Sequence, residues 1–176
     1  MKSSLLLAVT AIAAISLCSV LVATAAPSKK SKRPAITAVK VTGSPSNPVF
    51  TVLGHGLKVP KPNPATSPSN QPGCPVTITG NAGFDYGNSF FVIAWNGQPD
   101  ATNAERYSAG RYRPAPALNE LDCIGIIVQR HTAKKIRFTL GHAYQQLYSV
   151  TPGYIENGDV IEVGVGNARF ATVVHY

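Results

Sequence analysis

Trp95, Tyr107, Arg111, Tyr112 and Arg113 follow one another along a short part of the chain. Together they have the chemistry of a sugar-binding platform. An indole or phenol ring offers a flat apolar plane suited to the C–H face of a pyranose, and arginine N–H groups donate to the hydroxyls around it. These five are the candidate binding residues. Trp95 also ends a very apolar run, NSFFVIAW, so packing in the core is the competing use for it, with the tyrosines covering a loop.

Residue types that could catalyse a reaction are present but scattered. His55, His131, His142 and His175 lie singly in different segments, with no HxH, HExxH or Cys/His spacing that would gather a metal. No GxSxG elbow marks a nucleophile. The eight carboxylates include Glu120 and Asp122 close together and Asp85, Asp100, Glu105 and Asp159 in or beside turns. A glycosidase pair is assembled by tertiary structure, and the spacing here does not point to one. No calcium loop of the EF-hand type occurs. The reading assigns no catalytic residue, no metal and no cofactor.

The ends of the chain carry their own signals. Lys2, the apolar run Leu5–Val22 and the small residues Ala23-Thr24-Ala25 have the pattern of an export leader, with cleavage expected after Ala25. Residues 1–25 are therefore read as a signal peptide, 26–34 as a basic disordered arm and 35–176 as one domain. No transmembrane segment is expected once the leader is removed. Without Lys2 the chain has 15 basic and 8 acidic residues, a net of +7. Lys29, Lys30, Lys32 and Arg33 of the arm hold four of those bases, so the folded part carries +3. A basic tail attracts polyanions without selecting among them. For an exported protein these are cell-wall polymers and membrane surfaces rather than nucleic acid. The place expected for the protein is extracellular or on the cell wall. Cys74 and Cys123 are the two cysteines left after cleavage, and in an exported chain they are expected to form a disulfide.

The elements that would position these residues are strands. Asp122–Leu140 reads as a hairpin: an apolar strand through Ile124, Ile126, Ile127 and Val128, covered on both faces, then Ile136, Phe138 and Leu140 alternating with Arg137 and Thr139. Pro34–Val41 reads as a first strand, with Ile36, Ala38 and Lys40 on one face and Thr37, Val39 and Val41 on the other. Val49–Leu53 is a second. Lys58–Gly73 has five prolines and reads as a stiff loop that leads to a strand starting at Cys74. Asn88–Trp95 is a strand, Gln98–Asn119 a long loop with room for one short strand, and a helical turn is expected near Tyr144–Leu147. The segments DVIEVGV and ARFATVVHY close the chain as a hairpin about Gly166-Asn167.

A strand beginning at proline, a turn, and a strand ending in G-x-G-hydrophobic resembles the opening of the bacterial IPT/TIG immunoglobulin-like domains. The residues that carry it are Pro34, Ile36, Val39, Gly43, Phe50, Val52, Gly54, Gly56 and Leu57. The resemblance covers about a quarter of the mature chain and implies an accessory or binding module in a secreted or surface protein. The fold expected is all-β: an immunoglobulin-like antiparallel β-sandwich with long Pro/Gly-rich loops and one disulfide. The function expected is non-catalytic binding of a carbohydrate or anionic cell-wall polymer. The alternatives are a small secreted enzyme acting on polysaccharide, and a protein-binding or inhibitor module.

Overall fold

The protein was analysed as a computed structural model that describes residues 33–62, 81–95, 105–111, 124–145 and 153–176, all within a single compact unit. Side chains of 105–107 are outside this set. So are the leader, Lys29, Lys30 and Lys32 of the arm, the proline-rich segment from residue 63 on, the predicted strand at Cys74, and both cysteines of the predicted disulfide. Among the described residues no helix is long and apolar enough to cross a membrane.

Among the described residues, eight strands form two antiparallel sheets. They are β1 (Ala35–Ser44), β2 (Asn47–His55), β3 (Phe90–Trp95), β4 (Glu105–Ala109), β5 (Ile126–His131), β6 (Lys135–Leu140), β7 (Val160–Val165) and β8 (Ala168–Val173), with one helical turn, α1 (His142–Gln145), after β6. Sheet A has the order β1-β2-β6-β5 and sheet B the order β4-β3-β7-β8. The sheets pack face to face, as alternating apolar residues require when each sheet has one face to bury. Sheet A contributes Ile36, Val41, Phe50, Val52, Ile126, Ile136, Phe138 and Leu140 to the shared core. Sheet B contributes Phe90, Val92, Ala94, Ile161, Val163 and Val165. Phe50 and Phe138, paired across β2 and β6, stack with centroids 4.8 Å apart, and Phe90 meets Phe138 edge-on at 5.0 Å from the opposite sheet.

Two predicted faces need correction, one because of a β-bulge and one because the strand lies at a sheet edge. In β1 the register slips between Ile36 and Ala38, so Ile36 joins Val39 and Val41 on the core side, while Ala38, Lys40 and Thr42 face outward. Strict alternation had put Ile36 with Lys40. The strand at Ile124 is also not a central strand covered on both faces. β5 begins at Ile126 and forms the edge of sheet A, Ile127 and Val128 are half-buried, and a second bulge falls between Val128 and Arg130. Ile124 leaves the sheet and makes a parallel bridge to Ala109 of β4.

That bridge belongs to a crossing of backbones that joins the two sheets along one side. Ile126 and Phe84 exchange N–H···O bonds of 2.9 Å, the Gly110 N–H donates to Ile124 O, the Gly141 N–H donates to Gly125 O, and the His142 N–H donates to Asn81 O. The chains approach this closely because the contact points lack side chains. A Cβ on Gly125 or on Gly141 would strike the Ala82 carbonyl oxygen, and one on Gly83 would lie 2.7 Å from the carbonyl carbon of Gly125. On the other side, β1 and β8 lie beside each other, bordering a groove of about 280 Å³ lined by Lys40, Val41, Thr42, Thr172, Val173 and His175.

The end of the sandwich is braced by a phenol. Tyr144 of α1 is 1% exposed. Its hydroxyl donates to Pro45 O at 2.7 Å and accepts from the Ile155 N–H at 2.8 Å, tying the β1–β2 turn to the approach to β7. Tyr176 then donates to Ile155 O. Burial, with Tyr144 and Asp159 nearby, raises its pKa above the usual phenol value, so it keeps its donor proton.

Two substitutions test this framework by urea unfolding. Gly125→Ala forces a methyl group into the Ala82 carbonyl and is expected to cost about 1–3 kcal/mol or more. Tyr144→Phe leaves the buried Ile155 N–H without its acceptor, for an expected loss of about 1–3 kcal/mol. Either protein unfolding at the wild-type midpoint would contradict the assigned contact.

Candidate functional site

Of the predicted platform, Trp95 and Arg111 are the two residues whose side chains are described. β3 turns Phe90, Val92 and Ala94 to the core, so Phe91, Ile93 and Trp95 lie on the outer face of sheet B. Trp95 is half-buried, and its indole Nε1 is buried with no acceptor in reach. Arg111 lies toward the other end of that face, its guanidinium 5.5 Å from the centre of the Phe91 ring. Phe91 and Trp95 are four residues apart, about 13 Å along an extended strand. Tyr107 occupies the β4 position opposite Ala94. Its side chain, Tyr112 and Arg113 lie outside the described residues.

Phe91 has a structural setting of its own. It is 3% exposed, and its ring lies on Gly164, where a Cβ would come within 2.6 Å of it. The Arg169 guanidinium covers the ring at 4.6 Å. That guanidinium donates to Gly166 O, Ala168 O and Asn88 O and sits 3.8 Å from Glu162. Arg111 and Arg169 thus seal an apolar ring, the covering role that planar guanidinium groups fill on aromatic faces.

The described histidines and the carboxylates Asp85 and Asp159 are dispersed. Asp85 is buried, and its carboxylate closes a turn by accepting from the Gly87 N–H at 2.6 Å. Asp159 accepts from the Glu156 N–H. His55, His131 and His175 are exposed, and His142 begins α1. Among the described residues no three His, Cys, Asp or Glu side chains come together as a metal site.

The outer face of sheet A holds the concentrated chemistry. Residues 33–62 and 124–145, which contain all four of its strands, carry Arg33, Lys40, Lys58, Lys61, Arg130, Lys134, Lys135 and Arg137 and not one Asp or Glu. The strand register sorts these bases. Lys40 pairs with Thr51, Thr51 with Arg137, and Arg137 with Arg130, so one row crosses all four strands from edge to edge. Three strand spacings make that row about 14 Å long. Lys135 lies one step along β6 on the same face, about 7 Å from Arg137. Arg130, Lys135 and Arg137, with Thr132, line a groove of about 330 Å³.

Local structure holds this groove in shape. The Thr132 hydroxyl accepts from the Lys134 and Lys135 N–H groups, fixing the turn between β5 and β6. The bulge in β5 sets Gln129 and Arg130 against the single residue Arg137, and Gln129 Oε1 takes the Arg137 Nε–H at 2.9 Å. That bond orients the guanidinium and leaves its two terminal nitrogens with no partner among the described residues. No carboxylate among the described residues pairs with Arg130, Lys135 or Arg137. Like charges directly opposite on neighbouring strands are destabilising, so the Arg130–Arg137 pair works against the fold.

Sequence reasoning missed Lys40, Arg130, Lys135 and Arg137 as a site. The available signal was the absence of acidic residues from 33–62 and 124–145, which net charge conceals because all eight carboxylates lie elsewhere.

Arginines with opposite roles are expected to change stability in opposite directions. Arg130→Gln should stabilise the protein by about 0.2–1 kcal/mol at low salt, with the gain shrinking as salt screens the repulsion. Arg169→Gln should cost about 1–2 kcal/mol at any salt, since it uncovers Phe91 and drops hydrogen bonds. Thermal melts of both proteins at two ionic strengths check the signs, and a destabilised Arg130→Gln protein would contradict the like-charge assignment. No protein family, no curated protein and no solved structure matches this chain.

Proposed function

We propose that this chain is an exported, non-catalytic binding module that attaches to an anionic polymer of the cell surface through the outer face of sheet A. The observation that carries the reading is the segregation of charge: a sheet whose strands and connecting turns hold several lysines and arginines and no carboxylate. On an ordinary solvated face both signs are interspersed, and a single-sign field serves to attract a partner of the other sign. The row from Lys40 to Arg130 spans the width of the sheet, with Thr51 of β2 between the cations, which suits an extended ligand better than a small one. The basic arm adds Lys29, Lys30, Lys32 and Arg33 ahead of β1 in the sequence, charge that attracts the same class of polymer. The leader-like segment at Leu5–Ala25 favours wall or envelope polymers over nucleic acid.

The strand order also favours the finer reading of the fold. Sheet A, β1-β2-β6-β5, follows the A-B-E-D order of immunoglobulin-like sandwiches, and sheet B, β4-β3-β7-β8, follows C′-C-F-G. Of the residues that carry the IPT/TIG resemblance, Ile36, Phe50, Val52 and Leu57 are buried, and Gly54 is where β2 passes against the Ala35 carbonyl. We infer an immunoglobulin-like module of that kind, used for attachment.

Retention of the purified protein on an anionic envelope polysaccharide tests the function. Lys40→Gln combined with Arg137→Gln should reduce retention at low salt by about tenfold or more, and raised salt should release the wild type. A deletion of Ser28–Arg33 should give a smaller loss with an unchanged melting temperature. Full retention of the double variant would place binding elsewhere on the molecule.

A further inference from the structure

We propose that the groove formed by Arg130, Lys135 and Arg137 is a subsite for a tetrahedral oxyanion ester, a phosphate or sulfate group, and selects such groups over carboxylates. This rests on the reading of sheet A as the polymer-binding face and names the ligand group which that face recognises.

The donors approach from two strands and from two positions along one of them. A carboxylate has two oxygens whose lone pairs lie in one plane, so it accepts from a guanidinium fork and from further donors only within that plane. The groove presents two guanidinium groups on directly opposed positions of β5 and β6, with an ammonium group one step along β6. Arg137 has its Nε–H engaged by Gln129, so its outward edge is a two-nitrogen fork held at a fixed angle. The side chains of Arg130 and Lys135 make no hydrogen bond or ion pair with the described residues, so their donors are available. A phosphate or sulfate ester offers three oxygens or two non-bridging ones, pointing in different directions, and can accept from all three side chains at once. It also places negative charge between two guanidinium groups that otherwise repel each other. The volume of about 330 Å³ is at the small end of ligand-pocket sizes, adequate for one substituted sugar or polyol unit of a longer chain. Lys40, at the far end of the row and outside the groove, contributes charge without taking part in this selection.

The test compares binding of the purified protein to a synthetic poly(glycerol phosphate), dextran sulfate and polygalacturonate, matched in charge density and salt. The expected order puts poly(glycerol phosphate) about tenfold or more ahead of polygalacturonate. Arg130→Lys keeps the charge and removes the fork, so it should erase that preference while the protein still binds polygalacturonate. Lys40→Gln should weaken all polymers together and leave the preference intact. Dextran sulfate that matches the phosphate polymer assigns the groove to tetrahedral oxyanions of either kind, and dextran sulfate that falls with polygalacturonate narrows it to phosphate. Equal affinity for polygalacturonate and poly(glycerol phosphate) would overturn the subsite and leave the polyanion-binding reading standing. No binding to any of the three would overturn both. Melting curves of each variant, with and without poly(glycerol phosphate), show that a lost preference is not a lost fold.

Discussion

The fold depends on three stretches of backbone touching where no side chain intervenes. Gly125, Gly141 and Gly83 let the segment before β3 pass directly against the start of β5 and the end of β6. The edge of sheet A is joined there to the edge of sheet B by Ile124 and Gly110. Packing of large side chains alone holds two sheets about 10 Å apart and leaves their edges independent. The glycine crossing removes that freedom on one side. It also fixes where β5 begins, and therefore which of its residues meet Arg137. The site on the outer face is positioned by a contact that contains no functional group.

The two faces of sheet A obey opposite rules. Inside, Phe50, Phe138, Val52 and Ile136 satisfy each other so fully that water is excluded. Outside, Arg130 and Arg137 are placed where they oppose folding. A fold keeps such a pair only when its core supplies the stability to carry it, and residues kept against stability are those most often tied to function. Sheet B shows how arginine is used when structure is the aim: Arg169 lies across Phe91 with its hydrogen bonds satisfied by main-chain oxygens.

Much of the sandwich was legible in the sequence, because burying one face of a strand imposes a period of two on the residues. The strand at Val49–Leu53, the hairpin at Asp159–Tyr176 and the apolar strand at Asn88–Trp95 announce themselves in this way. What alternation could not reveal was a register slip. One extra residue near Thr37 moves Ile36 to the other face, and one near Gln129 brings two polar side chains to bear on Arg137. Alternation also cannot distinguish an edge strand from a central one when a neighbouring segment covers it, which is why Ile124–Val128 looked central. The site was less legible than the fold. Its members, Lys40, Arg130, Lys135 and Arg137, come from three strands, and only pairing puts them in a row. Trp95 attracted the functional reading because its residue type is rare, whereas the cations are individually ordinary and matter by their arrangement.

The ends of the cationic row lie on β1 and β5, the two edge strands of sheet A. An unpaired strand edge invites another chain to add to it, and a charged side chain on that edge is a standard deterrent. Lys40 and Arg130 therefore serve also as guards against edge-to-edge association. On the proposed reading, a polyanion laid along the row would neutralise both guards at once, which links occupancy by polymer to lateral association of neighbouring copies through the same two side chains.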